Sequence, residues 1–414
     1  MSPIRIHLST LRAQRLQELR ALFPNHTGAD LTEDWTGGRA EGLKRLHAIK
    51  PALYEKTRNY INNGAVTQLS PYLRHGCISL SEAIAFTKTQ SAPGDNKLLF
   101  EFAWRDYWRH IWYMTGEKIH SEMEPPKVKL GRNPLPLYIT ESQTKLPCID
   151  GFVQTLKDTG YLHNHARMWL SSYLIHWQKI DWREASRWMH DLLLDGDEAS
   201  NSLSWQWVAS TFGSKPYFFN QENLSKYTQN QPCENCEVTC PFKGSYESLN
   251  LALFEPTTAP AKISTTSNFP LVFQHNGAEH IILFHDEMLS PMNPMYQRKQ
   301  QKVFIFDAYF YQNWALKRLQ FLADCLAEMP DVEVWVGDTL EVLKVLNTGS
   351  VETQMTPNTA LRKRLSGCHI NYVEEQTIYN ETTKQKLNAK GIVRFSKYWN
   401  EVGAEILKRE SEPA

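Results

Sequence analysis

The sequence predicts a two-part protein: a mainly α region over residues 1–250, a linker over 251–275, and a small α/β region with a parallel sheet over 276–414. Three observations carry that prediction. Up to about residue 250, apolar residues recur with helical period, broken by short Gly or Pro stops and almost never in strict alternation. From Phe254 to Pro270 the text becomes FEPTTAPAKISTTSNFP, which has linker composition. Beyond it, HIILF (280–284), VFIFD (303–307), VEVWVGD (332–338) and HINYVEE (369–375) are short β-branched and aromatic runs. Helical stretches near 314–329 and 357–365 alternate with them, as in a parallel sheet with crossover helices.

Composition narrows the function classes. The chain has 414 residues, 45 Lys plus Arg and 45 Asp plus Glu, so no global basic field advertises nucleic acid. Any DNA contact has to come from a local patch. No apolar run approaches the roughly 18 residues that a membrane span needs. The start, MSPIRIHLSTLRAQRLQELR, lacks an apolar core and a small-residue cleavage site, and reads as a helix with a basic polar face rather than a secretion signal. Seven Cys, three of them bunched, suggest a reducing, cytoplasmic compartment and metal rather than disulfides. Of the thirteen Trp most belong in a core, but such redundancy of indoles also suits electron hopping.

The most informative stretch is DLLLDGDEASNSLSWQW (191–207). Asp195 and Asp197 flank Gly196, Asn201 follows, and Trp205 and Trp207 close the run. A polar cluster walled by indoles suits a large planar ligand with hydrogen-bonding edges. Spacing alone allows a plainer account, in which Asp195-Gly196-Asp197 is a helix-ending turn and Asn201 a helix cap. Upstream, VTQLSPYLRHG (66–76) offers hydroxyls at Thr67 and Ser70 and backbone amides before a Pro-started helix, a setting for phosphates or simply a cap. In FEFAWRDYWRH (100–110), Glu101, Trp104, Arg105 and Trp108 fall at i, i+3, i+4 and i+7, one helix face. Carboxylate, indole and guanidinium together can bond a pyrimidine edge, stack on its ring and meet a phosphate; an amphipathic helix with a surface ion pair is the plainer alternative. GYLHNHARMWLSSYL (160–174) completes the set.

Together and in this order, these four blocks resemble the flavin pocket of the photolyase and cryptochrome family, over residues 35–220. The resemblance implies FAD, with Thr67, Leu69 and Ser70 at its phosphates and Tyr54 nearby. Val66 departs from the hydroxyl residue common there. It implies Asn164 and Arg167 against the flavin, Asp195 and Asp197 on its polar edge and ribityl chain, and Asn201 facing the ring's N5. Trp205 and Trp182 match the first two members of the family's electron-transfer chain, while residues 120–148 hold no counterpart of the third. Glu101 and Trp104 would touch a flipped cyclobutane pyrimidine dimer, with Arg105, Met168 and Trp207 lining the same pocket. HNHARM (163–168) is similar to the dimer-repair form of its motif.

The activity so implied is that of a deoxyribodipyrimidine photolyase: light-driven repair of dimers in damaged DNA by electron transfer from reduced FAD, by a monomer without a membrane partner. A cryptochrome-like blue-light photoreceptor without repair is the alternative. A light-independent flavin or metal module is a further one. Family members usually carry their α/β antenna domain first. Here ILFHDEMLSPMNPMY, KVFIFD and KRLQFLADCLAEMPDVEVWVGDTLEVL resemble that domain, and VRFSKYWNEV the segment joining it to the helical part, so the resemblance implies a permuted order. An unrelated α/β domain fused behind stays open. A folate or deazaflavin antenna at the sheet's carboxyl ends, or no chromophore, are both compatible with the text.

Cys233, Cys236 and Cys240 form C-x2-C-x3-C followed by Pro241. Thiolates at this spacing can hold one metal centre, and a terminal Cys-Pro occurs in iron–sulfur runs. The layout resembles the bacterial photolyases with a [4Fe–4S] cluster, whose upstream ligand falls here on Cys148. Zinc on the same four thiolates, or unligated thiols, remain open. Cys77, Cys325 and Cys368 read as ordinary buried residues. No P-loop or hydrolase motif stands out.

Overall fold

In the computed structural model, which describes residues 2–26, 28–92, 96–254, 280–348, 350–391 and 394–408, the helical period of the first 250 residues becomes a set of packed helices, and the β-branched runs become one six-stranded sheet. The strands are β1 (Ile4–Ile6), β2 (Ile281–Phe284), β3 (Lys302–Phe306), β4 (Val332–Val336), β5 (Ser350–Gln354) and β6 (His369–Val373), in spatial order β1-β4-β3-β2-β5-β6. All pairs are parallel except β1 with β4, which is antiparallel with Ile4 opposite Val336. β2 and β3 are buried along their whole length, so apart from Lys302 at the start of β3 they read as continuous apolar runs rather than alternating ones. Four strands fall where their β-branched runs predict. β1 and β5 do not stand out in the text.

Helices that position the site are α1 (Arg12–Leu22), α2 (Ser70–Arg74), α3 (Lys97–Thr115), α4 (Pro147–Thr159), α5 (Asn164–Ser172), α6 (Trp182–Leu192), α7 (Glu198–Ala209), α8 (Leu316–Ala327) and α9 (Phe395–Leu407). The expected linker lies outside the described residues from 255 onward, and a helix, Tyr246–Leu253, runs into its first three positions.

Both ends of the chain cross to the other part. β1 joins the sheet, α1 packs on α8, and α9 returns to pack on α3. One core therefore serves both parts: Leu19, Tyr72 and Phe102 share it with Phe284, Phe304 and Phe321. A second core, around Val153, Trp169, Trp182, Trp205, Phe219 and Phe242, lies wholly in the helical part. Burying each such side chain contributes about 1.5–3 kcal/mol.

α8 is buried almost throughout, charged residues included. Asp324 accepts from Arg15 at 2.8 Å and from Arg12 at 3.0 Å, so α1 is tied to α8 by charge-assisted bonds as well as apolar contact. The sheet's topological switch lies between β2 and β5, and the helical part occupies its carboxyl end. Arg74 meets Asp286 at 2.9 Å and Glu287 at 3.5 Å, Arg109 meets Glu287 at 2.8 Å, and the Tyr113 hydroxyl donates to the Met355 carbonyl at 3.2 Å.

Candidate functional site

The turn between α6 and α7 is the centre of the candidate site. α6 stops at Leu192, Leu193 is extended, Gly196 takes φ +34°, and Asp197 caps α7 by accepting from the Ser200 amide at 2.8 Å. The plain account of Asp195-Gly196-Asp197 as a turn after a helix therefore holds, with Asp197 rather than Asn201 as the cap, but it does not exhaust the two carboxylates. Asp195 is buried and receives Arg167 through two bonds, at 2.8 and 3.3 Å, and the Ser70 hydroxyl. Burial pushes its carboxyl up, but Arg167 and Ser70 outweigh this and hold it below the usual carboxylate range. Asp197 receives Arg105 at 2.7 Å; against the upward push of burial, Arg105 and Arg74 draw it down to about 2. Both groups are thus anionic at neutral pH.

Asn201 is no cap. It sits inside α7, buried, and its amide nitrogen donates to the Ser186 carbonyl at 3.0 Å and hydroxyl at 2.9 Å, which fixes the amide's orientation from α6. Residues from four distant segments (70, 105, 167 and 195–201) therefore converge on one turn. Two arginine-matched carboxylates, a hydroxyl and a locked neutral amide supply the hydrogen-bonding edges that a flavin presents partners for, so the donor set fits FAD.

The remaining flavin candidates lie around this centre. α2, which Ser70 opens, is five residues long; Leu69 is buried before it and the half-buried Thr67 hydroxyl accepts from the Leu69 amide at 3.4 Å. Tyr54 is half-buried beside Glu101 and Arg58, and burial pushes its phenol up. Asn164 is exposed at the start of α5, its amide 3.5 Å from the Met168 sulfur, so these two share one surface. Trp205 and Trp182 are both buried in the second core, on neighbouring helices; the Trp182 indole N–H has no partner among the described residues.

The lesion candidates are placed less uniformly. Glu101 is engaged by Lys97 at 2.9 Å and Arg58 at 3.3 Å. Trp104 stacks on Phe395 of α9, with ring centroids 3.8 Å apart and planes 7° apart, so one indole face is covered by the chain's own C-terminal segment. Met168 is half-buried, and Trp207 is 37% exposed and lies 5.3 Å from the Tyr217 ring.

Cys148, Cys233, Cys236 and Cys240 line one cavity of about 30 Å³, walled by Leu146, Leu224 and Phe242. Burial pushes the Cys148 thiol up to about 12, and Cys233 and Cys240 are raised by burial and by neighbouring thiols. Among the described residues, however, no three Cys, His, Asp or Glu are arranged to hold a metal ion. The donor set is of the right chemistry and faces one space, but the tight tetrahedron of a zinc site, with sulfurs about 2.3 Å from one point, is not preformed. Cys77 and Cys325 are buried as expected; Cys368 is only half-buried.

Sequence reasoning missed several residues that hold this site. Gln206, between the two indoles of WQW, is fully buried, accepts from the Met123 amide at 2.8 Å and donates to the Ile119 carbonyl at 2.8 Å. Arg74, Arg109 and Glu287 form the buried ionic seam to the sheet, and Arg318 of α8 reaches the Gly196 turn. Their common signal is a charge or amide inside an otherwise apolar stretch, which marks a residue with a buried partner without saying where it lies.

Residues 98–235 match the family described as the FAD binding domain of DNA photolyase. Over that stretch the helical part of this chain is similar to the photolyase/cryptochrome family. Among curated relatives, it is 31% identical over 159 residues to the deoxyribodipyrimidine photo-lyase of Streptomyces griseus, covering 38% of this chain and 35% of that one. It is 32% identical over 200 residues to the deoxyribodipyrimidine photo-lyase of Agrobacterium fabrum, covering 46% and 42%. It is 26% identical over 223 residues to a cryptochrome DASH of Idiomarina loihiensis, covering 49% and 48%. The matches thus span between a third and a half of these relatives' length. The photolyase-type helical part accompanies a parallel-dominated α/β sheet. No helix among the described residues is long and apolar enough to cross a membrane.

Proposed function

We propose that this protein binds FAD in its photolyase-type part and repairs cyclobutane pyrimidine dimers in DNA under blue light. The observation that carries this reading is the convergence of Ser70, Arg105, Arg167, Asp195, Asp197 and Asn201 on one turn. When bound in its reduced form, FAD would supply a photoexcited electron to the dimer and take it back after the ring opens. The chain's own groups position and polarise. Arg167 and Arg105 hold the two carboxylates ionised, the Asn201 amide offers a neutral hydrogen bond to the ring, and the buried indoles Trp205 and Trp182 are the candidates for re-reducing the flavin. Glu101, Trp104, Arg105, Met168 and Trp207 are the candidate dimer contacts. The four cysteines are proposed as one centre, a [4Fe–4S] cluster before zinc, because four thiols facing one space suit a cluster that spreads its ligands better than a single ion that gathers them.

The deciding experiment is repair of a dimer-containing oligonucleotide by FAD-loaded protein under blue light against darkness, with Trp104→Ala alongside. Repair that needs light and falls at least about tenfold in the variant is expected, from loss of a base-stacking contact; no repair under light overturns the assignment. A specific observation favours a second reading, a cryptochrome-like photoreceptor: Trp104 is stacked on Phe395 and Glu101 is held by two cations, so two proposed dimer contacts have partners within the chain. Light-driven flavin chemistry without repair supports that reading.

A further inference from the structure

We propose that Arg318, on α8 of the α/β part, is a positioning residue for the FAD site, holding the Asp195–Gly196–Asp197 turn from beneath. The inference rests on the flavin reading and extends it to the other part of the chain.

Arg318 is fully buried, and its Nη1 donates to the His190 carbonyl at 2.9 Å, just before the turn. Its guanidinium lies 3.3 Å above the Trp314 ring, which locks the plane of the fork. A Cβ on Gly196 would sit 1.8 Å from Nη2, and Gly196 has φ +34°, so the guanidinium fills the space that a side chain there would need. Nε and Nη2 have no hydrogen-bond partner among the described residues. A buried cation with two unspent donors is costly, and a fold bears that cost where the group does something a smaller apolar residue could not. Burial, aided by Arg74, pushes Arg318 down to about 9, so it is still charged at neutral pH, where Asp191, Asp286 and Glu198 offset it.

Its neighbours act in the same direction. The Ala315 amide donates to the Asp191 carbonyl at 3.0 Å. The Lys317 ammonium donates to the Lys157 and Asp158 carbonyls, closing the C-terminal end of α4 shortly before Arg167. The start of α8 thus grips both segments that bring Arg167 and Asp195 together. FAD retention therefore depends on a residue of the α/β part more than 100 positions from the nearest flavin candidate in sequence.

The test uses the full chain, FAD titration followed by flavin fluorescence, and thermal unfolding of each variant. The wild type binds FAD; failure to bind overturns both this inference and the flavin reading. Arg318→Met is expected to weaken FAD at least about tenfold, and Arg318→Lys, which keeps charge without the fork, to restore part of the loss. Cys325→Ala, equally buried on the same helix, is the control: it lowers Tm and leaves FAD affinity within about twofold. Gly196→Ala weakens FAD, and does so less in the Arg318→Ala background, because the guanidinium it collides with is gone. Wild-type affinity in Arg318→Met with the wild type binding normally, equal losses in Cys325→Ala, or losses at Gly196 and Arg318 that multiply in full would each overturn the role of Arg318 alone. If Arg318→Met does not fold, Arg318→Lys and Gly196→Ala decide by the same criteria.

Discussion

Replacing Asp195 by Asn and, separately, Arg167 by Met should destabilise the apoprotein by unequal amounts, in an order set by water. Removing one partner of a buried ion pair costs about 3–5 kcal/mol, mostly because the other charge is left without compensation. The two partners differ in what they would be left with. The Asp195 side chain is only 4% exposed, whereas that of Arg167 is 23% exposed, still donates to the Leu162 carbonyl at 2.8 Å and lies 5.9 Å from the Tyr161 ring centroid. After Asp195→Asn, Arg167 regains some hydration and the new amide keeps the Ser70 contact, so about 2–3 kcal/mol is expected. After Arg167→Met, a carboxylate stays behind in a dry turn and the full 3–5 kcal/mol or so is expected. The Arg167→Met loss should also shrink as pH falls, because the orphaned carboxyl takes up a proton. Urea unfolding at pH 7 and pH 5, with m held fixed, measures both. A shift below about 0.5 kcal/mol in either variant, or a larger loss in Asp195→Asn, would refute the argument that the pair holds this turn against desolvation.

Three further outcomes are open to measurement. Gln206→Leu should cost about 3 kcal/mol in urea unfolding, since it leaves the Met123 amide and Ile119 carbonyl without partners in a buried site; a loss under about 1 kcal/mol would mean water replaces them. Burial pushes His75, His110, His163, His165 and His176 down to about 4, so they stay neutral in the folded chain while the unfolded chain protonates them near 6.5. Stability is therefore full above about pH 6.5 and falls steadily toward pH 4, by about 1–2 kcal/mol per histidine at pH 5, and an unchanged urea midpoint between pH 7 and pH 5 would contradict it. Anaerobically purified protein should carry about four iron per chain if the cysteine centre is a cluster, or about one zinc if it is a single-ion site, either being lost in Cys236→Ser; no metal in either form refutes a metal role for these thiols.

The text of the chain made some of this legible and hid the rest for identifiable reasons. β2 and β3 are visible because apolar residues run together there, and β4 and β6 because β-branched and aromatic residues dominate runs that hold only one or two polar residues. β5, SVETQ, is not, because Val351 is its only apolar residue and its buried Glu352 is matched by His280 and Arg298, partners that the local text does not show. β1, IRI, is three residues long at an edge, and its reason for being a strand is β4, far along the chain. In the site, Asp195, Asp197 and Asn201 are readable as a block because the pattern is local. What locks them is not: Ser186, Arg105 and Arg318 approach from other segments, and long-range pairing leaves no periodic trace. Trp104 shows the converse. Its face and spacing are plain in the sequence, but its stacking partner Phe395 is invisible because the two rings meet only after the chain has closed on itself.

The edge pairing of β1 with β4 has a consequence for synthesis. Ile6 leaves the ribosome roughly 330 residues ahead of Val336, which at 5–20 residues per second is a wait of about 16–65 s. During that interval the strand Ile4–Ile6 and the face of α1 that later meets α8 are without their native cover.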